Sequence, residues 1–108
     1  MNIIYDDKVK KLFEDPRKLQ KAIGLDLARK TIRIINMLKA IDDFKQYIND
    51  VRIGKPHELE GDLNKYFSIS VSANYRLIVK PLKDGKDEKI FVKGVLDYHG
   101  GKNEWIVP

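Results

Sequence analysis

The chain has 108 residues, 43% hydrophobic and 34% charged, with 21 Lys and Arg against 16 Asp and Glu, a formal charge of +5 and no cysteine. That length serves one domain around one core and is too short for two, the composition excludes a disordered chain, and the lack of cysteine excludes disulfides, thiolate metal sites and thiol nucleophiles. The basic excess suits a polyanionic partner, and a solvated lysine-rich surface accounts for it equally. No apolar run approaches the ~20 residues of a membrane span. The opening Met-Asn-Ile-Ile-Tyr-Asp-Asp-Lys also lacks the basic-then-apolar order of a secretion signal, so the expected address is the cytosol.

Taken in order, Asn2 to Tyr5 is a short β-prone segment, and Asp6-Asp7 supplies the carboxylates that favour a helix N-terminus. Val9, Leu12 and Phe13 form a short apolar stripe that Asp15-Pro16 interrupts, with Pro16 suited to a first helical position, and Gly24 interrupts the pattern again. From Leu25 to Ala40, Leu25, Ala28, Ile32, Ile35 and Leu38 recur at spacings of three and four, the strongest helical signal in the chain. Arg29, Lys30 and Arg33 fall elsewhere on that helix and read as a solvated face. Ile41 to Asn49 extends it as a further helical turn capped by Asp42, and Gly54-Lys55-Pro56 is loop chemistry.

A hairpin follows. Between Tyr66 and Ser72, Phe67, Ile69 and Val71 alternate with Ser68, Ser70 and Ser72, the period of a half-buried strand. Ala73-Asn74 predicts a tight turn with Asn74 at positive φ. The return strand, Tyr75 to Lys80, puts Tyr75, Leu77 and Val79 on one side and Arg76, Ile78 and Lys80 on the other, and Pro81 is expected to end it. After a polar turn, Ile90 to Tyr98 reads as a last strand with Gly94 as a bulge or a point of close approach. One strand, then helices, then strands near enough in sequence to pair antiparallel predict an α+β domain spanning residues 1–108, with its N-terminal helices on one face of a small sheet. Neither a phosphate-binding lysine loop nor a dinucleotide fingerprint occurs.

The two histidines, His57 before the hairpin and His99 after the last strand, fall at strand ends that neighbouring strands can bring toward Arg76. Cleavage of RNA by its own 2′-OH needs a base, an acid for the 5′-oxygen and a cation for the charge gathering on phosphorus. Imidazoles, a tyrosine hydroxyl and a guanidinium fork are suited to those tasks. Two histidines and an arginine are equally ordinary surface residues.

His57-Glu58-Leu59-Glu60-Gly61-Asp62, then the aromatic-serine strand leading to Tyr75-Arg76, then Asp97-Tyr98-His99, resemble in this order the HigB, or plasmid-maintenance killer, branch of the RelE toxin superfamily. The resemblance covers His57 to His99. It implies a microbial-ribonuclease-like fold, a ribosome-dependent endoribonuclease that cuts mRNA without metal or other cofactor, and neutralisation by a helix-turn-helix antitoxin of the HigA type. It carries catalytic roles onto His57, Arg76, Asp97, Tyr98 and His99.

Two positions depart from the family pattern. Glu60 stands where relatives commonly have lysine, and Leu63 where they have arginine, so two phosphate-facing cations are missing and Lys65, Lys80 and Lys93 are the candidates to replace them in RNA binding. The chain also continues past His99, and Trp105 in that extension is expected to be buried in the protein's own core or against a partner. Alternation puts Asp97 and His99 on one side of a regular strand and Tyr98 on the other. The competing readings are a RelE-fold binding protein that has lost cleavage, for which Glu60 and Leu63 speak, and a ParE-like gyrase toxin, which has no need of the histidines.

Overall fold

The computed structural model describes residues 1–99 and 102–108, with only the backbone of His99 and Lys102 described; the Gly100-Gly101 pair lies outside the described residues. The amphipathic stretches become α1 (Lys10–Glu14), α2 (Pro16–Ile23) and α3 (Leu25–Ala40). Asp15 caps α2, its carboxylate accepting from the Arg17 amide, and Pro16 occupies the first helical turn as the sequence predicts. Gly24 separates α2 from α3 with φ of 87°, a conformation that side-chain-bearing residues avoid. On α3 the buried positions are Ala28, Thr31, Ile34, Ile35 and Leu38, while Leu25 is exposed. The basic face is solvated, with Lys30 3.2 Å from Asp26 one turn earlier.

The next turn, α4 (Phe44–Gln46), is capped by Asp43, not by Asp42: the Asp43 carboxylate accepts from the amides of Lys45 and Gln46. Placing the cap one residue later lets Phe44 and Tyr47 turn inward together. The helix then widens into a π-turn, Tyr47–Val51, which ends on Arg52 in the left-handed region.

Six strands form one sheet among the described residues: β1 (Asn2–Tyr5), β2 (His57–Glu58), β3 (Phe67–Ser70), β4 (Tyr75–Asp84), β5 (Asp87–His99) and β6 (Lys102–Val107). The spatial order is β1-β5-β4-β3-β2, with β6 also on β5. All pairs are antiparallel except β1 with β5. Because β1 lies along residues 89–92 of β5 and β6 along residues 95–99, the two share one side of that strand, end to end.

Two details of the hairpin differ from expectation. Pro81 does not end β4; it pairs with Ile90 inside a strand that runs on to Asp84. Beyond Val79, β4 has no partner on its β3 side among the described residues, so the missing amide of Pro81 costs no ladder bond. The β3–β4 connection is also wider than a two-residue turn. Ser70 faces Arg76, Val71 donates to the Tyr75 carbonyl at 2.9 Å, and Asn74 keeps negative φ. A four-residue loop does not need the left-handed residue that a two-residue turn demands.

Alternation divides the sheet into two faces. Phe67, Ile69, Leu77, Val79, Ile90, Val92, Val95 and Val107 meet Leu19, Ala28, Ile34, Ile35, Leu38, Phe44 and Tyr47 of the helices in one core. Each fully buried aliphatic of that set contributes about 1.5–3 kcal/mol. Among the described residues no helix packs into the core from the opposite face, where Arg76, Ile78 and Lys80 lie.

Candidate active site on the open sheet face

On β4 the open side presents Arg76, Ile78 and Lys80, the alternation read from the sequence. Pairing extends this row across the sheet: Ser68 and Gly94 flank Ile78, Ser70 and Leu96 flank Arg76, and Phe91 faces Lys80. Ile78 and Leu96 are nearly inaccessible and form an apolar floor under the longer polar side chains.

Arg76 is held at one end of its guanidinium. Nη1 donates to Ser70 Oγ at 3.1 Å and to the carbonyls of Ser72, Ala73 and Tyr75 at 2.9, 3.3 and 3.2 Å, so the β3–β4 loop wraps a single nitrogen of the fork. The guanidinium carbon lies 5.7 Å from the centre of the Tyr98 ring. Tyr98 is itself fixed through its backbone, its amide donating to the Asn74 carbonyl at 2.6 Å. Arg76 and Tyr98 therefore form one rigid pair.

His57 reaches the same face from the sheet's far side. Its register partner is Ser68, which alternates with the core residues Phe67 and Ile69, so His57 stands on the open side, exposed. Standard strand spacing and rise put its Cα about 12 Å from that of Arg76, two strands and two residues away. The approach to His57 is built by Tyr47 and Gly54. Tyr47 is buried and its hydroxyl donates to the Ile53 carbonyl, while Gly54 accepts from the Ser70 amide at 2.6 Å. A Cβ at Gly54 would stand 2.5 Å from Ile69 Cγ2 and 3.1 Å from the Ser70 carbonyl oxygen, and φ there is +81°, so glycine is required for the loop to lie on β3.

Ser68 brings a buried hydroxyl to this row, and among the described residues its Oγ has no hydrogen-bond partner. Asp97 is placed differently. It pairs with Tyr75, which packs against the core, and so alternates away from Arg76 and Tyr98, with one carboxylate oxygen buried. His99 closes β5 opposite Lys102; its side chain lies outside the described residues. Of the five residues assigned catalytic roles, the fold thus brings Arg76 and Tyr98 into contact, adds His57 across the face and sets Asp97 behind it.

The lysines separate as well. The ammonium groups of Lys80 and Lys93 lie 5.4 and 5.8 Å from the Tyr66 ring centre, and Tyr66 meets Phe91 edge-on at 6.5 Å. Lys93 reaches this face because β5 shifts register between its pairs with Ile78 and Val79, which inserts Lys93 as an extra residue. The glycine signal at position 94 marks this bulge. Lys65 is exposed in the preceding loop, at φ of 74°. Glu60 and Leu63 bracket a single 3₁₀ turn, Gly61–Leu63, where Glu60 is exposed and Leu63 half-buried. Tyr66 and Ser70 join the candidate site through Lys80, Lys93 and Arg76; in the sequence they stand out only by their parity with Arg76 and Lys80 across the hairpin.

A family model for the RelE-like toxin of the type II toxin-antitoxin system HigB matches residues 3–99. The chain belongs to that family. This HigB-like toxin also resembles solved structures of the same fold. The YoeB/ParE toxin from Agrobacterium tumefaciens superposes with a TM-score of 0.63 at 18% identity, covering 92% of this chain and 99% of that one. YafQ from Escherichia coli strain BL21(DE3) gives 0.57 at 18% over 87% and 89%, and the YoeB-YefM complex from Staphylococcus aureus gives 0.51 at 24% over 92% and 97%. No curated protein matches the sequence. Among the described residues no helix is long and apolar enough to cross a membrane. The family match stops at His99, so β6 of the HigB-like toxin lies beyond it.

Proposed function

We propose that this toxin is an endoribonuclease that cuts mRNA on the ribosome, at the open sheet face, and that an antitoxin of the HigA helix-turn-helix type holds it in check in the cytosol. Membership of the RelE-like toxins, a family of endoribonucleases, supports the activity, and the YoeB-YefM complex among its structural relatives supports an antitoxin partner. The observation that carries the reading is Arg76, anchored through Nη1 and stacked toward Tyr98, with His57 on the same face.

In this reading the remaining end of the Arg76 fork takes the non-bridging oxygens of the scissile phosphate and neutralises the charge that builds as the 2′-oxygen bonds to phosphorus. One proton leaves the 2′-OH for a base and one reaches the departing 5′-oxygen from an acid, giving a 2′,3′-cyclic phosphate and a free 5′-hydroxyl. His57, Tyr98 and His99 share these proton transfers, and Asp97 acts from behind the strand by positioning its neighbours. In this reading Lys80 and Lys93, on the sheet, with Lys65 in the loop, supply the positive charge that guides the RNA backbone.

The test is cleavage of a defined mRNA on programmed ribosomes by purified toxin. Wild-type protein is expected to cut, and Arg76→Ala to lose at least ~100-fold in rate, as removal of one charge-stabilising donor does. Equal cleavage by both would remove Arg76 from the site, and a folded wild type that never cuts would make Glu60 and Leu63 the marks of a binding protein.

A further inference from the structure

The extension beyond the family match adds an aromatic wall to the open face. Trp105 pairs with Leu96, the floor residue beside Arg76, and so projects to the same side. It is 40% exposed, so of the two expected sites of burial, the protein's own core or a partner, the first does not hold. Lys93 connects it to the rest of the face, its ammonium 5.7 Å from the Trp105 ring and 5.8 Å from that of Tyr66. Beside the indole is a recess of about 160 Å³ lined by Asp6, Lys8, Lys93, Trp105 and Pro108.

Read across the sheet, aromatic rings and cations interleave: Tyr98 with Arg76, Tyr66 with Lys80 and Lys93, and Trp105 with Lys93. A protein partner matched to this surface would need acidic groups spaced between apolar ones. Single-stranded RNA has that pattern in every nucleotide, a phosphate for the cation and a π-face for the ring.

We propose that Trp105 and Lys93 form a subsite that holds one unpaired nucleobase of the RNA, the base stacking on the indole and its phosphate paired with the lysine. The proposal rests on the nuclease reading for its substrate class and adds a positioning residue from outside the family match. Stacking on an exposed tryptophan is sequence-tolerant, so the subsite fixes the strand's path over the face more than the choice of base.

Trp105 is the sole tryptophan of the chain, so its fluorescence reports this subsite directly. The experiment titrates the full-length toxin with a 2′-O-methyl oligoribonucleotide of six bases, which binds but has no 2′-OH to attack, and with an abasic strand of the same length. The base-bearing strand is expected to quench the indole saturably and the abasic strand to leave it unchanged. Binding followed by anisotropy of a labelled oligonucleotide should weaken ~5- to 100-fold in Trp105→Ala and stay within a few-fold of wild type in Trp105→Phe, which retains a stacking ring and controls for folding. No quenching by either strand, or equal quenching by both, would overturn the subsite. So would an indole that responds to an antitoxin and not to RNA. Quenching without cleavage on ribosomes would sink the nuclease reading and keep the subsite, and cleavage without quenching would do the reverse.

Discussion

Tyr47 shows how a residue far from the sheet's open face sets the site. Its ring fills the core beside Phe44, 5.7 Å away, and its hydroxyl donates to the Ile53 carbonyl in the loop that carries the chain to His57. Tyr47→Phe keeps the ring and leaves that carbonyl without its donor. It should cost about 1–2 kcal/mol in urea unfolding. The same burial pushes the Tyr47 hydroxyl well above its ordinary pKa of 10.0, against a smaller downward pull from Arg52. A group whose pKa is raised by folding stabilises the fold below its unfolded value and loses that contribution as pH climbs. The wild type should therefore hold its stability up to about pH 10 and lose it above that. Tyr5, raised by burial and by Glu14, acts in the same direction. Stability measured from pH 8 to 11 should fall less steeply in Tyr47→Phe, without becoming flat; an identical slope would show that Tyr47 does not titrate as its burial requires.

At the scale of elements, the contact between β5 and β6 depends on one missing side chain. A Cβ on Gly94 would lie 2.1 Å from the Val107 carbonyl oxygen, inside the backbone of β6 and with no flexible group to yield. Gly94→Ala is expected to destabilise the protein by at least ~2 kcal/mol in thermal or denaturant melts and to shift Trp105 emission as β6 moves off β5. Unchanged melting with unchanged emission would contradict this account of the bulge. Elements were legible where one local rule governed them. The three-four spacing from Leu25 to Ala40 gave α3 with its observed bounds, and the alternation from Tyr66 to Ser72 gave a strand that is observed, shorter, as β3 (Phe67–Ser70). Where neighbours decided, the sequence misled. Pro81 is a strand breaker only if its amide is needed, which depends on where β3 ends, and the β3–β4 loop widens because the Arg76 side chain gathers its carbonyls. The strand β6 had no local signal strong enough to distinguish it from a tail, since what makes it a strand is its pairing with β5.

For the whole molecule, the division of labour is between the two faces of one sheet. The helices bury one side, and the opposite side keeps arginine, lysines, tyrosines and serines above a thin apolar floor of Ile78 and Leu96. The candidate site was visible in the sequence as an ordered set of motifs, because His57, Arg76 and the Asp97-Tyr98-His99 run follow one another along the chain. Its geometry was not, because distance across a sheet depends on register and on the bulge that delivers Lys93. Lys80 and Lys93 enclose Tyr66 on the same face, so positive charge gathers on the sheet beside an aromatic ring.

Cleavage of RNA on this face by its own 2′-hydroxyl is the reaction on which the proposed function stands or falls. It is tested most directly by mapping cleavage on programmed ribosomes with two mRNAs that differ by a single 2′-deoxy nucleotide at the mapped scissile position. Attack by the 2′-oxygen predicts that the deoxy substitution abolishes the cut at that phosphate and that the ribose substrate leaves a 2′,3′-cyclic end. Undiminished cleavage of the deoxy substrate would contradict the mechanism and remove the chemistry assigned to Arg76, Tyr98 and His57.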